Sequence, residues 1–490
     1  MTIYTKRFLA RIIMEAKTPL AVGNGEKDIM SDALVAKDVN GLPYIPGTSI
    51  AGVVRHMIGE ENAKSFLGYQ NINKKSDGEG SKIIFSDAKI LNSKSEIVDG
   101  LNQEVFGDSL LKHYQELPIR QHTRIGSNGT VVGTGKFDEQ ICFAGTRFCF
   151  EIEMVAEEND SDANFKLALK KIHNKTFRIG GGTRSGFGKI EVSKLYTKTL
   201  DLKKPEDLKL YLAKNSNLSL EWNGWVEETI AEEKLNPNEW DTIEFNIHAR
   251  DFFLFGSGFG DVDGEADMTP VKGAIVVWDN KNGTLKGSQV LIPATSLKGA
   301  LAHRIAFHWN KLNKIFVGSP LVKYVAGFSD KKRTKPIVNP AVKVLFGYEG
   351  EVNGKKVQNR GNLIFHDIIK YDINNTNINK QVHVSIDRFT GGAKANSGAL
   401  FTEKNVYGGD SMVFHISILK DNNNIVGLAN QVYESMPDKL RVQIGNIDRF
   451  KQTINDAFNN AISDLKNGML PLGGGTARGN GIFVECKIRR

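Results

Sequence analysis

Residues 43–58 read PYIPGTSIAGVVRHMI, and residues 290–305 read VLIPATSLKGALAHRI. Each runs from a strand-like end through Ile-Pro into a helix. Pro46 and Pro293 stop the strand, and Thr48/Ser49 and Thr295/Ser296 sit where a helix N-cap belongs.

Three further pairs follow in the same order. IIFSDAKI (83–90) resembles LIFHDIIK (363–370). TRIGSNGTVVGTGKFDEQICFAGTRFCFEI (123–152) lies over DRFTGGAKANSGALFTEKNVYGGDSMVFHI (387–416) without a gap. FRIGGGTRSGFGKIEV (177–192) resembles LPLGGGTARGNGIFVE (470–485). Four matches in one order make the chain two copies of one domain. The first copy covers residues 1–200 and the second 241–490. Residues 201–240, with Lys203-Lys204-Pro205 and an acidic run from Glu227 to Glu233, read as a partly helical linker.

Periodicity supplies the elements. Phe8 to Val22 and Thr242 to Phe255 read as opening strands; in the second, Ile243, Phe245, Ile247 and Ala249 alternate with polar residues. Strands are expected at 83–90 and 363–370, long hairpin insertions at 119–152 and 383–416, and helices at 161–175 and 449–467. A Gly-rich loop and a last strand close each copy. The order is close to β-α-β-β-α-β, so the expected class is α+β: two tandem ferredoxin-like domains with an antiparallel sheet and helices on one face.

Composition narrows the function. The chain has 490 residues, 40% hydrophobic and 24% charged, which fits two to four domains and excludes wholesale disorder. No apolar run approaches the roughly 20 residues of a membrane span. The stretch MTIYTKRFLARIIMEAK breaks its apolar run at Arg11 and Glu15, so no signal peptide, no membrane partner and a cytoplasmic location are expected. Cys142, Cys149 and Cys486 form neither a disulfide framework nor a zinc spacing. The net charge of +8 divides into −1 over residues 1–240 and +9 over 241–490, with +7 in 301–340 alone, where Lys331-Lys332-Arg333 and Lys335 lie. A basic half suits a polyanionic partner; a lysine-rich solvated surface looks the same.

Four motifs can carry chemistry, each with a plain structural alternative. Gly180-Gly181-Gly182-Thr183-Arg184 and Gly473-Gly474-Gly475-Thr476-Ala477-Arg478 either expose N–H groups to phosphate or make tight turns at positive φ. They follow a helix and open a strand, the reverse of dinucleotide and P-loop sites, and no GKS or GKT triplet occurs. The Ile-Pro helix starts are phosphate seats with Arg55, Lys298 and Arg304 behind them, or ordinary capped helices; the aligned His56 and His303 are more often structural than catalytic. The insertions carry Arg120, Arg124, Arg388 and Lys394 among small polar residues, with Phe137 and Phe401 aligned. Such hairpins suit single-stranded RNA, or are plain hairpins with solvated charges. The acidic loops carry Asp28, Asp32 and Asp38 in one copy and Asp261, Asp263 and Asp267 in the other. They could hold a hard cation, act as a base toward a ribose 2′-hydroxyl, or be polar loops only.

Together these segments resemble the RAMP superfamily of CRISPR-associated proteins, and more narrowly the backbone subunits of type III effector complexes. The carriers are Tyr44-Ile-Pro-Gly-Thr-Ser49, Phe85-Ser-Asp87, Ile386-Asp-Arg-Phe-Thr-Gly-Gly-Ala393 with Ala399-Leu-Phe-Thr-Glu403, and the Gly-rich loops. The resemblance implies an RRM-type palm with a β-hairpin thumb in each copy. It implies a guide CRISPR RNA, a target RNA, other RAMP backbone subunits, a guide-end-binding subunit and a large polymerase-like subunit as partners. It implies RNA contacts from Thr48, Ser49, Arg55, Arg120, Arg124, Gly181, Gly182, Arg184, Thr295, Ser296, Lys298, Arg304, Arg388, Lys394, Gly474, Gly475 and Arg478. In active members an acidic residue before the Ile-Pro-Gly helix supports cleavage of target RNA with a divalent metal, Mg or Mn. The family's Asp, followed by five residues and a second Asp, falls on Asp32 and Asp38. Counting back from Ile292 lands on Gly273, so Asp267 is the nearest substitute in the second copy, with Asp28 and Asp263 as further acidic candidates. The alternative is a purely structural RNA-binding subunit. A guide-processing endonuclease with a histidine base is disfavoured by the paired insertions.

Overall fold

Each sheet is built around the opening strand of its copy. In the first copy the principal elements are β1 (Lys6–Ala16), α1 (Gly47–Ile58), β2 (Ile83–Phe85), the hairpin strands β3 (Ile119–Ile125) and β4 (Val131–Gln140), β5 (Arg147–Ala156), α2 (Ala163–Ile172) and β6 (Ile190–Asp201). In the second they are β7 (Trp240–Ala249), α3 (Ala294–Leu312), β8 (Leu363–Ile364), the hairpin strands β9 (Ile378–Val384) and β10 (Leu400–Tyr407), β11 (Phe414–Asp421), α4 (Ile447–Lys466) and β12 (Phe483–Glu485). This computed structural model describes residues 4–486 apart from 29–30, 72–76, 127–130, 230–234, 326–337, 353–354, 371–376 and 395–399. The basic run from Lys331 to Lys335, Ala399 and the end of the acidic run at Glu232-Glu233 lie outside the described residues.

The first sheet runs β2-β5-β1-β6 and the second β8-β11-β7-β12, with antiparallel pairing throughout. The two halves share one topology, consistent with a ferredoxin-like arrangement. Alternation in β1 decides the faces. Phe8, Ala10, Ile12 and Met14 join Ile50 and Val54 of α1 and Phe165 and Leu169 of α2 in one core. In the second copy Phe245 and Ile247 meet Leu297, Leu301 and Ile305 of α3 and Phe450, Ile454, Phe458 and Leu465 of α4. Each fully buried side chain of this size stabilises the fold by about 1.5–3 kcal/mol.

The opening strands end earlier than the apolar runs suggest, at Ala16 and Ala249. Beyond them the chain turns away to bridge the hairpin bases: Leu20 pairs with Cys142, and Phe252 with Tyr407. The expected long insertions resolve into hairpins at 119–140 and 378–407, each followed by a separate sheet strand. Residues 205–212 form a helix, and 226–228 add a strand to β6. Trp222 packs on Leu9 and Leu200, on the sheet face opposite α1. On that face Glu151 takes both Arg11 and Lys214, at 2.8 and 2.5 Å.

Strands 272–279 and 282–292 form an arm in the second copy that has no counterpart among the described residues of the first, where Lys37 and Pro43 bridge directly. The arm lies on the first copy. Val276 N–H donates to Ala144 O at 2.8 Å, Trp278 Nε1 donates to Gly145 O at 2.7 Å, and Arg147 stacks over the Trp278 ring. Gly145 has φ +79°, and a Cβ there would lie 1.9 Å from Val276 O, so only glycine permits this approach.

Candidate nucleic-acid interface

The Ile-Pro helices begin at Gly47 and Ala294, with Pro46 and Pro293 at the N-cap, and no cap side chain bonds to either helix. Thr48/Ser49 and Thr295/Ser296 therefore lie inside the first turn, which corrects the capping role expected of them. The cap comes from a distant strand end. Asp87 Oδ1 accepts from Gly47 N–H at 2.9 Å, and Asp367 Oδ1 accepts from Ala294 N–H at 2.8 Å. These two aspartates align in the repeat. Each supplies negative charge where the helix dipole favours it, so part of each expected phosphate seat is already filled by carboxylate.

The Gly-rich loops are matched residue for residue. Gly180 and Gly473 have φ +86° and +88°, Gly182 and Gly475 +64° and +66°, and Gly188 and Gly481 +77° and +75°. Gly181 N–H donates to Ala21 O, and Gly474 N–H to Leu254 O, both at 2.6 Å. Those two donors close a turn and do not point outward.

Several basic residues nominated for RNA have partners within the protein. Arg55 holds the carbonyls of Leu67 and Gly68 at 2.6 and 2.7 Å. Arg304 pairs with Asp464 at 2.5 Å, beside His308 at 2.6 Å from the same oxygen. Arg478 grips both oxygens of buried Glu403, at 2.6 and 2.7 Å. Arg120 is buried against Asp367 at 3.0 Å, across the boundary between the copies. Arg184 reaches Gly361 O of the second copy at 2.9 Å, and Lys298 faces Ser185 of the first at 3.5 Å. Burial lowers Arg178 to about 9 and Arg184 to about 10, with neighbouring arginines adding to it; it also lowers Lys298. Burial, then Arg178 and Lys189, hold His366 near 3. Burial raises Asp367, opposed by Arg120 and the Ala294 N–H. The joint is thus a cation-rich seam around one buried carboxylate. Arg124 and Arg388 are exposed on the hairpins, as is Lys394.

A cleft of about 640 Å³ opens beside this seam. Arg120, His122 and Ile125 of the first hairpin, Thr295, Ser296 and His303 of α3, and Gly474 and Thr476 of the second loop line it. Phe259, 60% exposed, stands at its wall with Lys136 above the ring. The cleft brings together parts that are far apart in sequence, with polar groups over an apolar floor.

The acidic loops dock on the hairpins in the same way in both copies. Asp32 N–H donates to Asp138 O at 2.9 Å, and Asp32 Oδ2 accepts from Asp138 N–H at 3.1 Å. Asp267 N–H donates to Thr402 O, and Asp267 Oδ2 accepts from Thr402 N–H, both at 2.8 Å. Asp138 and Thr402 are aligned in the ungapped repeat, so Asp267 is the positional counterpart of Asp32. Gly273 lies in the arm, which explains why counting back missed the match. Both aspartates are exposed. Asp28 accepts from Ser31 N–H at 2.7 Å, and Asp263 is exposed in its loop. The neighbouring Asp261 is paired with Lys404.

One residue beyond each hairpin residue that holds an aspartate, Glu139 and Glu403 each join a histidine in a pair that sequence reasoning missed. His122 lies 2.7 Å from Glu139 and stacks on Phe137; His383 lies 3.0 Å from Glu403. Glu139 and Glu403 align, but the histidines are offset by three residues, which hid them. Among the described residues no three His, Cys, Asp or Glu side chains converge as a metal-ligand set.

A RAMP superfamily sequence profile matches residues 13–191 and 271–484. The chain belongs to the RAMP superfamily. Comparison with curated proteins gives no match. Among solved structures, one similar chain comes from the cryo-EM structure of the type III-B Cmr-beta bound to cognate target RNA. It shares 16% identity over 39% of this chain and 61% of that one, with a TM-score of 0.28. Among the described residues no helix is long and apolar enough to cross a membrane.

Proposed function

We propose that this RAMP protein is an RNA-binding backbone subunit of a type III CRISPR effector complex in the cytoplasm. Its two copies, residues 1–200 and 241–490, serve as adjacent palms, and the hairpins at 119–140 and 378–407 as thumbs. The observation that carries the reading is the inter-copy cleft, where the first hairpin, with exposed Arg124 between its lining residues Thr123 and Ile125, meets a Thr/Ser helix start and a Gly-rich loop. Guide RNA would run past it, with phosphates near Thr295, Ser296 and exposed Arg124. A guide-end-binding subunit, further backbone subunits and a large polymerase-like subunit complete the assembly in this reading. The test is fluorescence anisotropy of the whole chain with single-stranded RNA across a salt series. Affinity should fall with salt, and Arg124→Ala and Arg388→Ala should each reduce the salt slope by about one. Thr295→Tyr, which fills the cleft, should weaken binding. Salt-insensitive binding untouched by all three substitutions refutes the reading.

A second reading, cleavage of the target RNA, is favoured by the matched placement of Asp32 and Asp267. A duplicated exposed carboxylate in the same hairpin contact supports two equivalent cutting positions. In this reading, each carboxylate accepts or orients the proton of a ribose 2′-hydroxyl aligned on the adjacent phosphate. The products are a 2′,3′-cyclic phosphate and a 5′-hydroxyl. Any Mg or Mn ion used here would take some of its ligands from RNA oxygens.

A further inference from the structure

The joint inside the chain shows how one copy receives another. The receiving parts are the start of α3, where Asp367 holds the Ala294 N–H, and the sheet edge at 361–367. The delivering parts are Arg120 at the hairpin base and the first Gly-rich loop. Arg120 neutralises Asp367, Arg184 donates to Gly361 O, and Gly186 bridges His366 in parallel. These contacts cover an edge strand that would otherwise be open.

The first copy owns a receiver of the same form. Asp87 holds the Gly47 N–H as Asp367 holds that of Ala294. Asp87, however, is exposed, and among the described residues no basic side chain pairs with it. Ile84 of the same edge strand is 58% exposed, whereas its counterpart Ile364 is 0% exposed. The delivering residues of the second copy do not fit this receiver. Gln381 stands opposite Glu403 where Arg120 stands opposite Glu139. Ala477 aligns with Arg184, and Pro471 with Arg178. None of them can neutralise a carboxylate, and burying Asp87 without a cation is costly.

We infer that the edge from Ile84 to Asp87, with the start of α1, is a docking socket for a different module of the same fold that presents an arginine from its hairpin base, and not for a second copy of this chain. The inference rests on the joint geometry and is independent of RNA binding. The test is sedimentation of the full-length chain, without RNA, up to about 100 μM. The wild-type chain stays monomeric. Gln381→Arg with Ala477→Arg supplies the missing arginines and converts the chain into head-to-tail oligomers, because a heterologous contact of this kind need not close. Adding Asp87→Ala returns those oligomers to monomer. Ala477→Arg alone, at an exposed position, supplies only the counterpart of the Arg184 contact to a backbone carbonyl, so it gives weaker association at the same edge, lost on Ile84→Asp, and it serves if the Gln381 variant misfolds. Self-association of the wild type, or arginine variants that fold and remain monomeric, overturns the proposal.

Discussion

Replacing Arg120 with alanine should destabilise the seam between the copies by an amount set by Asp367. The pair is 3.0 Å apart, and its side chains are 8% and 1% exposed. Removing Arg120 leaves a buried carboxylate that still accepts from the Ala294 N–H but has lost its cation, a loss of about 3–5 kcal/mol. Burial already raises Asp367, and without Arg120 it rises further. For a raised acid, stability is retained below the ordinary carboxylate value and lost as pH climbs through the folded value. The Arg120→Ala deficit should therefore be larger at pH 7 than at pH 5. Asp367→Asn keeps an oxygen for the helix cap and removes the charge, so in the double variant most of the loss is recovered, with a coupling of about 2–3 kcal/mol. Urea unfolding, followed by tryptophan fluorescence and fitted with separate transitions for the two copies, measures each term. A single variant within about 1 kcal/mol of wild type, with no rescue by Asp367→Asn, refutes the buried-pair argument.

Three further outcomes are expected. In a complex assembled with guide and target RNA, Asp32→Ala and Asp267→Ala should each abolish a different subset of cuts by about 100-fold or more, read on a sequencing gel; unchanged cutting in the double variant removes both carboxylates from the chemistry. His366 is held near 3, so its stabilising contribution is present above about pH 6.5 and is lost as pH falls; from pH 7 to 5 that is about 2 kcal/mol, and His366→Gln should flatten this part of the urea-midpoint profile. Burial lifts the Cys142 and Cys149 thiols to about 12, so in the native chain only Cys486 should react with a disulfide reagent, and rapid labelling of either buried thiol contradicts the packing.

The doubled domain was readable because period and order survive in a linear string: Ile243 to Ala249 alternates as a strand must, and the four repeat pairs keep their sequence. The helix caps were not, because Asp87 and Asp367 act over 40 and 73 residues and no local spacing announces such a contact. The partner of Arg120 is not legible either, because the same guanidinium serves phosphate and carboxylate and only the fold brings Asp367 to it. The shared position of Asp267 and Asp32 is not legible by counting, because the 272–292 arm lies between Asp267 and its helix. The His–Glu pairs were hidden by a three-residue difference in hairpin length.

On the outer face of the first sheet, Trp222 sits over Leu9 and Leu200, and the Arg11–Glu151–Lys214 cluster covers the strands beside it. RRM-type modules read nucleotides by stacking bases on that platform. Here the protein's own segment has taken the reading table. In the proposed reading, a ribonucleotide strand denied that surface is gripped by its outline, which lets one protein accept any order of bases with equal ease.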